Sequence, residues 1–346
     1  MKKFYILIIL LSVLVLPVSA IEYTAPTVPD SANTYMPADT ESFGEGLWYV
    51  IKVAVTNLQP DIVEAAEICI SIIGISILIS LLNCFSQNKN RIVELVGTLA
   101  VGGLLLNPSN ALIRLGVDTV GQMSEYGKLL LPVMTGALAA QGAATTSTAL
   151  YAGTALFSSL LSSAITKLLV PMVYIHLCLC VANSAIGHET IKSLAGFVKW
   201  LMTWCLKIIL YIFTGYMGIT GAVSGTADAA AIRATKLAIS GFVPVVGSII
   251  SDASETILVG ASVMKNAAGI YGLLAILAIW IGPFLKIGVQ YIMLKLTVSI
   301  CSIFQVKQYT TLIHGFCSVM GFILAMIGAV CLLLLVSTVC FMKGIS

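Results

Sequence analysis

The chain has 346 residues, of which 59% are hydrophobic and 10% are charged, and its net charge is +3. A soluble domain carries about 25% charged residues, so this composition cannot build a surface that faces water. The nearly balanced charge argues against nucleic-acid binding, and we expect a lipid bilayer to surround the protein. Continuous apolar runs, without the ten-residue alternation of barrel strands, predict an all-α bundle.

The N-terminal residues have the pattern of a secretion signal. Two lysines precede an uncharged apolar run over Phe4–Leu16, and Val18 and Ala20 supply the small residues that a signal peptidase requires. We therefore predict a cleaved signal peptide over residues 1–20. An uncleaved first anchor helix is the alternative interpretation.

Residues 21–64 are predicted to form an extracytoplasmic polar linker and an amphipathic segment. Residues 21–67 hold eight acidic residues and one base, Lys52, a balance that is typical of an exported segment. Proline-containing turns indicate a linker over 21–40, whereas helical spacing of apolar residues predicts an amphipathic helix over 41–64.

Residues 65–346 are predicted to form a polytopic helical membrane domain with about eight to ten spanning or re-entrant helices. The expected apolar segments are 65–85, 92–106, 129–140, 149–165, 168–186, 200–220, a pair within 237–264, 267–285, 287–305 and 317–341. The positive-inside rule places the basic turn at Lys89 and Arg91 in the cytoplasm. This arrangement makes the protein a multi-pass membrane protein.

Three features of this domain leave its topology open. Asn107-Pro108-Ser109 is expected to stop the second segment, which leaves the amphipathic residues 109–127 at the outer interface. The pieces within 129–165 and within 237–264 are short for full crossings. Each pair is therefore either two tight spans or a re-entrant hairpin that protein shields from lipid.

Few residues in the chain suit catalysis or metal binding. The sequence contains no His-Glu-x-x-His metal motif, no Gly-x-Ser-x-Gly elbow and no nucleotide-binding Gly-Lys-Ser/Thr loop. The nine cysteines have irregular spacing and suit packing better than disulfide or zinc chemistry. We therefore predict no enzyme activity, no catalytic residue, no metal site and no cofactor.

Charged residues within or between the apolar segments are the candidate functional residues. A charge inside the bilayer normally pairs with another group or faces water, so a polar path through the bundle is one interpretation. The candidates for such a path are Lys207, Lys286, Lys295, Asp252 and Glu255. The alternatives are lysines that snorkel from helix ends, and a solvated tip for the two acids. Lys295 fits snorkelling least well because it lies mid-way along 287–305.

Small residues form a second set of candidates, because small side chains let helices approach closely in lipid. The predicted helix-packing positions are Gly136, Ala140, Gly215, Gly218, Gly241 and Gly247. They serve either packing within the chain or contact with identical or different subunits, and the sequence alone does not separate these two uses.

Three strings of residues resemble one known family. Residues 235–256 contain Gly241-Phe-Val-Pro244-Val-Val-Gly247, followed by Lys265-Asn266-Ala-Ala-Gly269, and residues 131–142 read Leu-Pro-Val-Met-Thr-Gly-Ala-Leu-Ala-Ala-Gln-Gly. With the order of signal peptide, linker and polytopic region, these strings resemble the stage III sporulation protein AE family of endospore-forming bacteria. The resemblance covers roughly residues 60–342.

This resemblance implies a function that composition does not show. Members of the family are expected in the mother-cell membrane around the forespore, within a secretion-like or feeding channel complex. The implied partners are other stage III A sporulation proteins, including a secretion-type ATPase and ring-forming subunits, and the implied role is that of a permease or export gate. A stand-alone secondary transporter of a small solute is the alternative, because interrupted helices often form solute sites.

Overall fold

The computed structural model describes most of the chain after the predicted signal peptide. It describes the backbone of residues 26–37, 42–85, 91–242, 247–303 and 307–343, and the side chains within these ranges except at 83, 84, 91, 221–264, 307 and 308. The predicted signal peptide over residues 1–20 lies outside the described residues.

The described chain is helical and contains no strand, which confirms the predicted all-α class. The helices are α1 (Asp30–Asn33), α2 (Phe43–Thr56), α3 (Gln59–Phe85), α4 (Arg91–Ala140), α5 (Ala144–Ala164), α6 (Val170–Ile186), α7 (Glu189–Phe242), α8 (Gly247–Ile303) and α9 (Lys307–Lys343). A π-helical turn, Ile165–Leu169, joins α5 to α6 without interruption.

Six stretches of the described chain are long and apolar enough to cross a membrane. They are Gln59–Leu82, Ile92–Ala140, Ala144–Ile186, Glu189–Thr220, Lys265–Ile303 and Tyr309–Lys343. The multi-pass helical membrane protein predicted from composition is therefore confirmed. The stretches are fewer than the eight to ten predicted segments because several segments merge into longer helices.

The predicted stop at Asn107-Pro108-Ser109 was wrong, because α4 continues through it and includes residues 109–127. Pro108 and Pro132 both lie inside α4, and Pro283 lies inside α8. In a packed membrane bundle, neighbouring helices and local adjustments satisfy the backbone groups that a proline frees. A proline can therefore bend such a helix without ending it.

The chain is also helical at other positions where a break between segments was predicted. The segments 149–165 and 168–186 are continuous through the π-helical turn, and 267–285 is continuous with 287–305 in α8. Asp252 and Glu255 lie inside α8, where a hairpin tip was predicted. A continuous helix satisfies the hydrogen bonds of every interior N–H and C=O group. An unbroken helix is therefore favoured wherever lipid or protein, and not water, surrounds the chain.

Two glycines form turns in the gaps between predicted apolar segments. Gly142, with φ 88°, lies between α4 and α5, and Gly187, with φ 72°, follows α6. This left-handed conformation is readily adopted by glycine and commonly ends helices. Each turn reverses the chain, so α5 returns along α4 and α7 returns along α6.

Helix α9 is the centre of the bundle and contacts α4, α5, α6, α7 and α8. At one end the Tyr309 hydroxyl donates a hydrogen bond to the Glu94 carbonyl oxygen at 2.9 Å. At the other end Met342 packs against Gly269. These two contacts lie about 50 Å apart along α9 at 1.5 Å per residue.

Along α4, Gly97 approaches Tyr309 and Gly127 approaches Leu334, so α4 runs parallel to α9. Along α8, Gly269 approaches Met342 and Tyr291 contacts Cys317, so α8 runs antiparallel to α9.

A buried hydrogen bond joins α5 to α9, and its removal gives a first prediction. The Thr154 hydroxyl donates to Ser337 Oγ at 2.9 Å, and both residues are buried. We expect Thr154→Val to lower the free energy of unfolding by about 1 kcal/mol, a typical value for one such bond. Urea unfolding in detergent would measure it. Thr203→Val is the control, because Thr203 donates only to the Lys199 carbonyl of its own helix.

Candidate functional site

Two carboxylates lie on the first turns of α3. Asp61 and Glu64 are three residues apart, a spacing that places both on one face of a helix. Pro60, at the start of the same helix, suits a first turn because its missing N–H would have no partner there. Negative side chains are also favoured by the dipole at a helix N-terminus. The local sequence therefore holds both acids at one end of the helix.

Lys286 of α8 forms ion pairs with both acids. Its Nζ lies 2.9 Å from Asp61 Oδ1 and 3.3 Å from Glu64 Oε2. The Lys286 side chain is 39% exposed and that of Asp61 is 23% exposed, so this is a partly buried pair. Exposed ion pairs add about 0–1 kcal/mol to the free energy of unfolding, whereas breaking a buried pair costs about 3–5 kcal/mol. We expect a value between these two for the pair of Lys286 with Asp61.

The ion pairs also fix how α3 lies on α8. Fifteen residues further along both helices, Ser76 Oγ lies 3.4 Å from Cys301 Sγ, and both residues are buried. Equal spacing between the two contacts means that α3 and the second half of α8 run parallel. Residues 61 and 286, which are distant in sequence, are therefore brought together by the packing of the whole bundle.

A cavity of about 290 Å³ lies beside the ion pairs. Its walls are Asp61, Glu64, Ala65, Ile68, Pro108, Ala111, Leu112, Leu115, Lys286 and Gln290. Pro108 prevents regular backbone pairing in α4, and Gln290, one turn after Lys286, is buried. The charged groups of the cavity come from α3 and α8, whereas the α4 wall is entirely apolar. Its volume is close to the lower limit for small-molecule sites, about 300 Å³.

The linker before α2 reaches the same region. Ser31 Oγ donates to Gln122 Oε1 at 2.8 Å, and Ala32 is fully buried. Tyr35 packs against Gly282, one turn before Lys286. Burial, and to a smaller extent the negative charge of Asp61, raises the pKa of Tyr35 above its usual value. The phenol is therefore neutral at physiological pH and adds no negative charge beside the carboxylates.

Of the five predicted polar-path residues, the described side chains place only Lys286 at this cavity. Lys207 on α7 and Lys295 on α8 are exposed, and Lys295 Nζ lies 6.0 Å from the centre of the Tyr291 ring. The side chains of Asp252 and Glu255 lie outside the described residues.

Sequence reasoning missed the acidic partners of Lys286, because it placed both acids in the extracytoplasmic segment. The signal that could have identified them is their three-residue spacing immediately before an apolar run.

Four of the predicted helix-packing residues lie on the surface. Gly136, Ala140, Gly215 and Gly218 are exposed, and a Cβ added at any of the three glycines would meet no other atom within 4 Å. They are therefore free for contact with another subunit, which stays a prediction. The surroundings of Gly241 and Gly247 lie outside the described residues.

Within the described side chains, no three His, Cys, Asp or Glu residues are grouped as a metal ion would require. His176 is buried, and its Nδ1 lies 3.1 Å from the Ala195 carbonyl oxygen. This contact joins α6 to α7, so a packing role accounts for the histidine.

A match to a known protein family identifies the family of this chain. Residues 39–344 match the family model described as Stage III sporulation protein AE (spore_III_AE). The chain belongs to this family. This confirms the resemblance read from residues 131–142 and 235–269, and it identifies the chain as a sporulation membrane protein.

One curated protein with the name of this family is similar to the chain. The chain is 21% identical over 206 residues to Stage III sporulation protein AE of Bacillus subtilis (strain 168). That alignment covers 59% of this chain and 52% of the relative, so the chain spans about half the length of the curated relative that it matches. No solved structure matches the chain.

Proposed function

We propose that this protein is a non-enzymatic integral membrane subunit of a secretion-like or feeding channel complex between the mother cell and the forespore. Its membership of a sporulation family and the six potential spans among its described residues support this role. In this proposal it lies in the mother-cell membrane that surrounds the forespore and acts as a permease or export gate. Its partners are other stage III A sporulation proteins, including a secretion-type ATPase and ring-forming subunits.

The charged cavity at Lys286 is the observation that carries the transport part of the proposal. Ionisable groups in a membrane bundle are costly and usually belong to pathways or to internal pairs. Here Lys286, Asp61 and Glu64 surround space that the bundle leaves unfilled. A purely structural ion pair does not need such a cavity, whereas a conduit or a gate does.

A stand-alone secondary transporter of a small solute is the second candidate, and the size of the same cavity favours it. A site of about 290 Å³ beside helices that contain Pro108 and Pro283 suits a small polar solute. Affinity purification from sporulating cells separates the two functions. Recovery of the ATPase with the protein supports the complex, whereas solute uptake by proteoliposomes that contain this chain alone supports the transporter.

Filling the cavity should impair function without removing a charge. Ala111 lines the cavity on α4, so we expect Ala111→Phe to lower the yield of heat-resistant spores while leaving the amount of protein in the membrane unchanged. Ala100→Phe is the matched control, because Ala100 is exposed on the same helix and does not line the cavity. Equal spore yields from the two variants would contradict a functional cavity.

A further inference from the structure

A second group of charged side chains lies away from the cavity, where α7, α8 and α9 meet. Lys199 Nζ donates to Ser318 Oγ of α9 at 3.4 Å. On α8, Lys295 Nζ lies 6.0 Å from the centre of the Tyr291 ring, and the Tyr291 carbonyl oxygen accepts a hydrogen bond from Cys317 Sγ of α9 at 3.7 Å. Two ammonium groups from different helices therefore approach the same turns of α9. We name Lys199, Lys295 and His314 the basic cluster.

The basic cluster has no counter-charge within the described part of the chain. No described carboxylate lies within 4 Å of Lys199 or Lys295, in contrast to Lys192, which pairs with Glu189, and Lys286, which pairs with Asp61. All three side chains of the cluster are exposed. The positive charge is therefore presented outward, to whatever surrounds the bundle.

The surroundings of the basic cluster on the protein surface are apolar. On the same turns of α7 as Lys199, the rings of Phe197 and Trp200 stack at 6.0 Å and are 55% exposed. Beside Lys295, Ile292 and Leu296 are 58% and 53% exposed. All of these residues belong to stretches that are apolar enough to span a membrane. A cation on a lipid-facing surface needs an anionic partner or water, because hydrocarbon solvates charge poorly.

We propose that the basic cluster binds the phosphate-bearing headgroup of an anionic phospholipid. Its two ammonium groups supply hydrogen-bond donors and positive charge for a phosphodiester, and basic pockets between membrane helices bind such headgroups. The exposed side chains of Ile292, Leu296, Phe197 and Trp200 offer apolar surface to the acyl chains. A free phosphate ion has no group that would use this apolar surface, which is why the geometry favours a lipid.

Titration of phosphatidylglycerol into the purified full chain in detergent, followed by native mass spectrometry, tests the proposal. Lys199→Gln combined with Lys295→Gln should weaken phosphatidylglycerol binding by about 25-fold, since each lysine near an anionic lipid contributes about fivefold. Lys128→Gln combined with Lys167→Gln is the matched control, because it removes two exposed lysines from outside the cluster. Circular dichroism and gel filtration would verify that both double variants fold.

Each outcome of this titration supports or overturns the proposal. Selective loss of phosphatidylglycerol in the cluster variant, with phosphatidylcholine binding unchanged, supports it. Equal binding by the two double variants overturns it and points to a carboxylate of another protein subunit as the counter-charge. Displacement of the lipid by millimolar inorganic phosphate overturns the assignment to a lipid.

Discussion

Replacement of Lys286 by methionine is expected to lower the free energy of unfolding by roughly 1–3 kcal/mol and to reduce the yield of heat-resistant spores. The change leaves the carboxylates of Asp61 and Glu64 facing each other without a cation, beside a cavity with aliphatic walls. This loss of stability is smaller than the cost of breaking a fully buried pair, because the Lys286 side chain is 39% exposed. Unfolding in detergent and spore counts after heating would measure the two effects.

Two further variants make the Lys286 experiment specific. Lys167→Met is the control, because Lys167 is exposed and no described carboxylate lies within 4 Å of it. Adding Asp61→Asn to Lys286→Met should recover part of the lost stability, since one of the two unpaired charges is then absent. If Lys286→Met and Lys167→Met had the same stability and spore yield, the ion pairs would have no structural or functional importance.

Replacement of Gly97 by leucine is expected to cost about 3 kcal/mol of folding free energy and to reduce the amount of protein in the membrane. Gly97 lies on α4 where three helices meet, and a Cβ there would overlap Ile79 of α3 and the Tyr309 hydroxyl of α9. The hydroxyl would have to leave the Glu94 carbonyl, to which it donates at 2.9 Å. Unfolding in detergent and quantitative immunoblotting of membranes would measure the two losses.

Gly103 provides the control for this substitution. It lies six residues further along α4, is exposed, and a Cβ there would meet no other atom within 4 Å. Leucine also has a higher helix propensity than glycine, so Gly103→Leu should leave stability unchanged or slightly increase it. A similar loss of stability from both variants would mean that the close packing at Gly97 does not hold the three helices together.

Composition and the order of apolar segments were enough to predict the helical membrane class and the breaks after residues 140 and 186. Charged residues are too scarce for a water-facing surface, and polar residues separate the apolar segments at both breaks, where the structure has Gly142 and Gly187 in left-handed turns. The continuity of α4 through Pro108 could not be predicted in the same way. A helix continues through a proline only where neighbouring helices satisfy the freed backbone groups. The residues around Pro108 alone do not show which helices pack there.

The candidate site was predicted only in part for the same reason. Lys286 was a candidate because a lysine in an apolar run is costly. Its partners Asp61 and Glu64 lie more than 200 residues earlier, in a segment whose charge balance indicated an extracytoplasmic position. Only the parallel packing of α3 on α8, fixed further along by Ser76 and Cys301, brings the charges together.

The length of α9 has a consequence for the membrane that contains it. Its packed contacts extend over about 50 Å, whereas the hydrocarbon layer of a bilayer is about 30 Å thick. The apolar part of α9, residues 317–341, is about 37 Å long and fits that layer at a tilt of about 36°, within the 0–40° seen for membrane helices. The first turns of α9, where Tyr309 donates to the Glu94 carbonyl, therefore carry the packed bundle beyond the hydrocarbon into the headgroup zone. A soluble partner that docks at that end would meet an ordered helical platform outside the bilayer.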